Sequence, residues 1–106
     1  MRLFTYGSLR RGYSNHHLLL SLGARFFDNG NLQAELLPTQ YPFPAVKEGL
    51  GLVHGEVYDL SDEAFERLDF FEGNPDFYQR RDAVTTEGLP VQVYYGTGVI
   101  GLKPQA

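Results

Sequence analysis

The sequence predicts a single α+β domain over residues 1–106. Several short segments alternate between apolar and polar residues, which is the period of β-strands. Two other segments begin after a serine and end at a glycine, as capped helices do. The length is that of one ordinary domain with one hydrophobic core, and no internal repeat suggests another architecture. Short strands combined with two helices are typical of the α+β class.

The N-terminal part is expected to hold one strand and one helix. Residues 2–6 alternate and are rich in strand formers, and residues 7–12, which begin at a glycine, then form a loop. A short helix is predicted over residues 15–22. The hydroxyl of Ser14 can accept an orphan amide hydrogen bond at its start, and Gly23 suits the position just past its end.

The middle of the chain contains turn signals. Asn29-Gly30 lies between apolar residues of the segment 24–37, and this dipeptide favours a tight turn between two strands. Three prolines interrupt regular hydrogen bonding across residues 37–46, so we expect an ordered loop there that is suited to a pocket wall. Residues 51–60 alternate between two distinct faces, which predicts a further strand.

The second helix has well-marked boundaries. Ser61 is expected to cap a helix of about three turns that ends at Gly73. Leu60 and Phe65 have the spacing of a hydrophobic staple across its start. The predicted apolar face consists of Ala64, Leu68 and Phe71.

The C-terminal part is expected to form a hairpin. Residues 78–86 and 89–95 have the composition of strands and flank a short turn at Glu87-Gly88. The tail from about residue 97 is expected to be loosely held.

Composition and charge narrow the function classes. The formal net charge is -4, and the 9 lysine and arginine residues are spread along the chain, so no basic footprint for nucleic acid or an anionic membrane is present. The chain contains no cysteine, which removes disulfides, thiolate metal sites and a cysteine nucleophile. The apolar run at the start is too short for an export signal. We expect a cytoplasmic protein, monomeric or weakly dimeric, with a small-molecule partner.

The first candidate site is the loop Tyr6-Gly7-Ser8-Leu9, where a strand end runs into a glycine turn. Such a turn exposes several backbone amides in one place and can cradle a carboxylate or a developing oxyanion. Taken alone, the glycine equally serves only to let the chain turn.

The second candidate site is Glu72, in the last turn of the second predicted helix, at the negative end of the helix dipole. A carboxylate is locally unfavourable there, and a residue that breaks a local rule is a functional candidate. Burial beside Phe71, the helix terminus and the acids Asp69 and Asp76 would each raise its pKa towards neutrality, which suits a general base. The alternative is a solvated residue at the helix end.

The remaining reactive residue types give weaker patterns. His16 and His17 are adjacent, and His54 pairs only with Glu56 on a strand face, so we predict no metal site and no cofactor. Ser8 lacks the Gly-x-Ser-x-Gly elbow of a serine nucleophile. The aromatic residues are interpreted as core and pocket lining rather than as a base-stacking surface.

Four motifs occur in order along most of the chain. They are Tyr-Gly-Ser-Leu-Arg-Arg-Gly at 6–12 with Asn-His at 15–16, Pro-Ala-Val at 44–46, Val-His-Gly-Glu-Val-Tyr-Asp-Leu at 53–60, and the segment 68–80 that contains Glu72. This series resembles the gamma-glutamylcyclotransferase-like superfamily, and within it the gamma-glutamylamine cyclotransferases and their bacterial relatives. Serine stands at position 8, where threonine often follows Tyr-Gly in that superfamily.

The resemblance implies a small mixed β-barrel with a few helices packed outside. It also implies that Glu72 is the catalytic acid/base and that Tyr78 lines the pocket. The backbone that would hold the gamma-glutamyl group belongs to Tyr6, Gly7, Ser8 and Leu9.

The reaction implied by the resemblance is the release of 5-oxoproline from a gamma-glutamyl amine or amino acid. The substrate α-amine attacks its own γ-carbonyl, with no metal, nucleotide or covalent enzyme intermediate. Two alternatives stay open: a binding or regulatory module that kept the pocket without turnover, and a related lyase or hydrolase of an acylated metabolite.

Overall fold

The computed structural model describes residues 1–7, 9–37, 45–73 and 78–96. The prolines at 38, 42 and 44 and the tail from about residue 97 lie outside these ranges. Within the described ranges the chain forms five strands and two helices. They are β1 (Arg2–Thr5), α1 (His16–Ser21), β2 (Arg25–Leu37), β3 (Ala45–Asp59), α2 (Asp62–Glu72), β4 (Tyr78–Val84) and β5 (Pro90–Gly96).

The strands form one mixed sheet in the order β2-β3-β1-β5-β4. β1 pairs antiparallel with β3 and parallel with β5, while β2–β3 and β4–β5 are antiparallel. The turn between β4 and β5 returns to the other end of the sheet, where Thr86 N donates to Asn31 O at 2.9 Å. No backbone ladder between β2 and β4 closes the sheet within the described ranges, but this contact gives it the shape of a small barrel. The predicted α+β barrel with helices outside is confirmed.

Alternation along the strands divides the core into two clusters on opposite faces of the sheet. In β1, Leu3 faces the helices and Phe4 faces the barrel interior. The outer cluster joins the sheet to both helices through Leu19, Phe65 and Leu68, together with Tyr58, Tyr78 and Tyr94. The inner cluster contains Phe4, Leu32, Val46, Val53, Val57, Val91, Val93 and Tyr95.

The predicted turn at Asn29-Gly30 is wrong, because both residues lie inside the continuous strand β2. Gly30 pairs with Gly55 of β3, and the register shifts on either side of it, between Phe26 and Asp28 and between Gln33 and Glu35. A Cβ on Gly30 would approach Val57 Cγ2 to 3.3 Å. The long ladder with β3 therefore overrides the local turn signal, and the glycine serves close packing.

Helix α2 begins and ends as predicted. The Ser61 side chain accepts a hydrogen bond from Ala64 N at 3.1 Å, and Gly73 ends the helix with a φ of 67°. Leu60 and Phe65 share the outer cluster, as a hydrophobic staple requires. The prediction for Phe71 is wrong, because this side chain is 48% exposed.

The predicted amino-terminal cap of α1 at Ser14 is also wrong. The helix is capped at Asn15 rather than Ser14, and no side-chain hydrogen bond caps it. Its carboxyl end is closed as predicted, since Gly23 has a φ of 77° and Gly23 N donates to Leu20 O at 3.1 Å. Packing also holds the helix, because Leu19 is fully buried in the outer cluster. Tertiary contacts thus replace the amino-terminal cap in this six-residue helix.

The C-terminal hairpin is confirmed, with a first strand that ends two residues earlier than predicted and a second strand of the predicted length shifted by one residue. Thr85 N donates to Leu89 O at 2.9 Å across the turn. Gly88 has a φ of 87°, a left-handed conformation that glycine adopts without strain. The strand predicted from residue 51 starts earlier, at Ala45, because its first residues pair with the end of β2.

Candidate active site

The loop after β1 is a tight turn held by its own backbone. Gly7 O accepts hydrogen bonds from Arg10 N at 3.1 Å and from Arg10 Nε at 3.2 Å. The carbonyl of Leu9 lies 2.9 Å from Nδ1 of His16. Because a carbonyl oxygen only accepts, Nδ1 carries the hydrogen in this contact. Ser8 lies outside the described residues.

The predicted loop residues differ in what they can offer a ligand. The side chain of Leu9 is buried in the outer cluster, so only its backbone is available. The phenol of Tyr6 donates to Tyr94 O at 2.7 Å, which fixes the ring against the last residues of β5. Burial raises the pKa of Tyr6 well above its usual value, and the nearby Tyr78 and Glu72 add to this. Tyr6 therefore stays a neutral phenol.

Glu72 is the last residue of α2, and its side chain is partly buried. Burial raises its pKa from 4.5 to about 7. The shift has the direction predicted from the sequence, and among the described residues burial is the cause that raises it. Asp69 is bonded elsewhere, and Asp76 lies outside the described residues. Desolvation thus makes this carboxyl able to gain and lose a proton near neutral pH.

Several tyrosines gather around this carboxyl. The charge of Glu72 helps to raise the pKa of Tyr6, Tyr78 and Tyr94, after the larger effect of burial on each. Tyr78 is the first residue of β4 and is itself buried. The structure therefore brings Tyr6, Glu72 and Tyr78 into one cluster, and Gly7 follows directly from it along the chain.

Sequence reasoning missed the polar network behind Glu72. Tyr94 donates its hydroxyl hydrogen to Asp69 Oδ1 at 2.6 Å, and Arg80 Nε lies 3.4 Å from the same oxygen. The Arg80 guanidinium also covers the ring of Phe65 at 4.7 Å. A signal was available, because a hairpin turning near residue 87 places Arg80 opposite Tyr94.

A second network, again of a tyrosine, a carboxylate and an arginine, anchors the loop after β1. Glu56 Oε1 accepts hydrogen bonds at 2.9 Å from Arg11 N and from the Tyr58 hydroxyl. Arg11 Nε adds an ion pair at 3.4 Å. Burial raises the pKa of Glu56, but these donors outweigh it and the pKa is lowered. Glu56 therefore stays ionised and binds the loop to β3 at Arg11.

A surface cavity of about 410 Å³ lies apart from the predicted catalytic residues. Within the described parts of the chain, no group of three or more His, Asp or Glu side chains could hold a metal ion. No helix in those parts is long and apolar enough to cross a membrane. The cavity is lined by Arg10, Asn29, Gly30, Asn31, His54, Gly55, Glu56 and Glu87.

Comparison with known proteins gives consistent results. Residues 3–101 match the family described as Gamma-glutamyl cyclotransferase, AIG2-like. The chain is 36% identical to Gamma-glutamylaminecyclotransferase C from Danio rerio, covering 98% of this chain and 70% of that protein. It is 31% identical to a gamma-glutamylcyclotransferase family protein from Escherichia coli, covering 97% of this chain and 89% of that protein.

A solved structure agrees with these sequence matches. The crystal structure of an AIG2-like protein from Mus musculus superposes with a TM-score of 0.75 at 28% identity, covering 94% of this chain and 78% of that one. The chain therefore belongs to the gamma-glutamyl cyclotransferase, AIG2-like family.

Proposed function

We propose that this protein releases 5-oxoproline from a gamma-glutamyl amine or gamma-glutamyl amino acid. The observation that carries the proposal is the carboxyl of Glu72, whose pKa is raised by burial to about 7 beside neutral tyrosines and the glycine loop. Membership of the family and the names of the relatives from Danio rerio and Escherichia coli support the same chemistry.

The first step of the proposed reaction is an intramolecular ring closure. The carboxylate of Glu72 removes a proton from the α-ammonium group of the substrate. The free amine then forms a bond to the γ-carbonyl carbon of the same glutamyl chain, and the carbonyl electron pair moves to oxygen. Backbone amides of the loop at Tyr6, Gly7, Ser8 and Leu9 are assigned to stabilise this oxyanion.

The second step expels the amine. The oxyanion collapses, the bond between the γ-carbon and the leaving nitrogen breaks, and Glu72 returns its proton to that nitrogen. The ring nitrogen still carries two hydrogens after ring closure, and Glu72 transfers the second of these to the released amine. The products are therefore 5-oxoproline and an ammonium ion, so all atoms and protons balance. The nucleophile and the carbonyl belong to one molecule, so the site need only fold the substrate onto itself. The scheme includes no covalent enzyme intermediate.

A pKa of about 7 suits both proton transfers. A general base works best when its pKa lies near the working pH, because both protonation states are then accessible. Tyr6 and Tyr78 stay neutral, so they offer hydroxyl groups rather than negative charge to the substrate. We assign Tyr78 to the lining of the substrate pocket.

The test compares wild type with Glu72→Gln on a panel of gamma-glutamyl amino acids, gamma-glutamyl-lysine conjugates and glutathione. Mass spectrometry follows the appearance of 5-oxoproline. Loss of the carboxylate should lower the rate by about 10² to 10⁴. Glu66→Gln is the matched control, since Glu66 is exposed on the same helix and should retain full activity.

The panel also separates the alternatives. Release of glutamate rather than 5-oxoproline would show that the protein catalyses hydrolysis and not ring closure. Saturable binding of a panel member without any product, unchanged in Glu72→Gln, would identify a binding module and contradict the proposed enzyme. The consumed substrate names the leaving amine.

A further inference from the structure

We propose that Asp69, Arg80 and Tyr94 form a positioning cluster that fixes the last turn of α2 and thereby aims the carboxyl of Glu72. The catalytic consequence of this role rests on the proposed function. None of the three side chains is assigned to touch the substrate, so each is a positioning residue.

Asp69 places the cluster about one helical turn before Glu72, the catalytic candidate. Asp69 precedes Glu72 by three positions, so the two side chains lie on neighbouring parts of one helix face. One oxygen of Asp69 accepts from Tyr94 at 2.6 Å and faces Arg80 at 3.4 Å. The side chains of Asp69 and Arg80 are only 21% and 24% exposed, so water screens their attraction weakly. Hydrogen bonds to a carboxylate are among the stronger ones in proteins.

Apolar packing cannot hold this end of the helix. Leu68 is the last fully buried residue of α2. Phe70 is 90% exposed and Phe71 48% exposed, so neither anchors the final turn. Helix ends fray unless they are tied down. Asp69 therefore supplies the last side-chain anchor before Glu72, supported by the left-handed cap at Gly73.

Tyr94 connects this anchor to the loop on the other side of the site. Its hydroxyl donates to Asp69, while its backbone oxygen accepts the hydroxyl hydrogen of Tyr6 at 2.7 Å. One buried residue of β5 thus bonds to the helix end and to the residue that opens the glycine loop. Burial first, and then the bond to Asp69, raise the pKa of Tyr94, so its hydroxyl keeps its hydrogen throughout the neutral range.

The decisive variant is Tyr94→Phe, which removes the hydroxyl and keeps the backbone oxygen that Tyr6 needs. Misplacing a catalytic group by a fraction of an ångström to 1 Å lowers turnover, and we expect kcat to fall by about tenfold or more while KM changes little. The groups that lie near Glu72 are the phenols of Tyr6, Tyr78 and Tyr94. Asp69, about one helical turn earlier, is paired with Arg80. A loosened turn admits water, so the pKa of Glu72 should fall from about 7 towards 4.5.

The matched control is Thr85→Val at the turn end of the same hairpin. It also removes one buried hydroxyl, which accepts from Leu89 N at 3.1 Å. This control should lose comparable stability and keep both kcat and the pKa of Glu72. Equal kcat and equal Glu72 pKa in Tyr94→Phe and Thr85→Val would overturn the positioning role.

Rescue by a conservative variant gives a second test. Asp69→Asn keeps an oxygen acceptor for Tyr94 and should retain most of the turnover, whereas Asp69→Ala should resemble Tyr94→Phe. Full turnover in Asp69→Ala would overturn the proposal.

The pKa of Glu72 is read by carboxyl NMR titration of the folded proteins, which requires no substrate. If wild type forms no 5-oxoproline, the proposed function fails, and the titration still decides the positioning role. A lowered pKa in Tyr94→Phe, absent from Thr85→Val, would support it, and an unchanged pKa would overturn it.

Discussion

The clusters Tyr58–Glu56–Arg11 and Tyr94–Asp69–Arg80 share one composition but hold different kinds of backbone. In each, a buried tyrosine donates to a carboxylate that an arginine also faces. Glu56 lies in β3, an interior strand of the sheet, and its carboxylate also accepts a hydrogen bond from the loop backbone at Arg11 N. Asp69 lies near the carboxyl end of a helix, and within the described residues only side chains contact its carboxylate.

The difference teaches which carboxylates in this fold are structural and which can react. Glu56 has several donors, so its pKa is lowered despite burial, and it stays charged. Glu72 follows the Asp69 cluster, and burial raises its pKa to about 7. Within the described residues no donor pairs with it. Donors turn a buried carboxylate into an anchor, while their absence leaves it ready to exchange a proton.

The largest effect on stability that would sharpen this contrast is expected from Glu72→Gln. Its pKa is about 7 in the folded protein and 4.5 in the unfolded chain. As pH rises from 4.5 to 7, only the unfolded chain releases the proton, so wild-type stability falls over this window and stays reduced above it. The glutamine variant should be more stable than wild type by up to about 3 kcal/mol at pH 8 and equal to it at pH 4.

Urea denaturation of both proteins at the two pH values measures this difference. Glu66→Gln again serves as the control and should show no such pH-dependent gain, because Glu66 is exposed. A glutamine variant that is less stable than wild type at pH 8 would mean that Glu72 has donors after all.

A smaller effect should distinguish the two clusters kinetically. Tyr58→Phe removes one hydrogen bond to Glu56 and should lower the free energy of unfolding by about 1 to 2 kcal/mol. We expect a similar loss of stability in Tyr94→Phe. Because Glu56 holds the loop, we expect Tyr58→Phe to raise KM several-fold with a smaller change in kcat. Steady-state kinetics of the two variants, side by side, provide the measurement. If both variants change kcat and KM in the same proportion, the two clusters do not differ in their kinetic role.

The smallest effect tests whether the two ends of α2 are independent. Ser61→Ala removes the hydrogen bond to Ala64 N and should lower the free energy of unfolding by about 1 kcal/mol. Ser14→Ala is the control and should be nearly neutral, since α1 has no side-chain cap. Thermal unfolding reports both values. With the Asp69 cluster intact, Ser61→Ala should leave kcat unchanged, and a fall in kcat would show that the helix start also positions Glu72.

Local signals proved reliable at α2 and at the C-terminal turn, although the local cap signal at Ser14 failed. The cap at Ser61, the left-handed Gly73 and the turn before Leu89 all follow from residue types a few positions apart. Asn29-Gly30 failed for the converse reason, because its pairing with Glu56 and Gly55 joins residues far apart in sequence. A two-residue signal carries no information about such a partner.

The sequence by itself determined that Glu72 ends a capped helix, that the Tyr6-Gly7 turn follows the first strand, and which family the motifs resemble. Only the tertiary structure decided the chemistry at that helix end. It bonded Asp69 to Tyr94 and Arg80, left Phe71 half exposed, and raised the pKa of Glu72 to about 7 through burial. Desolvation depends on every element packed around a group, so no local pattern in the chain can specify it.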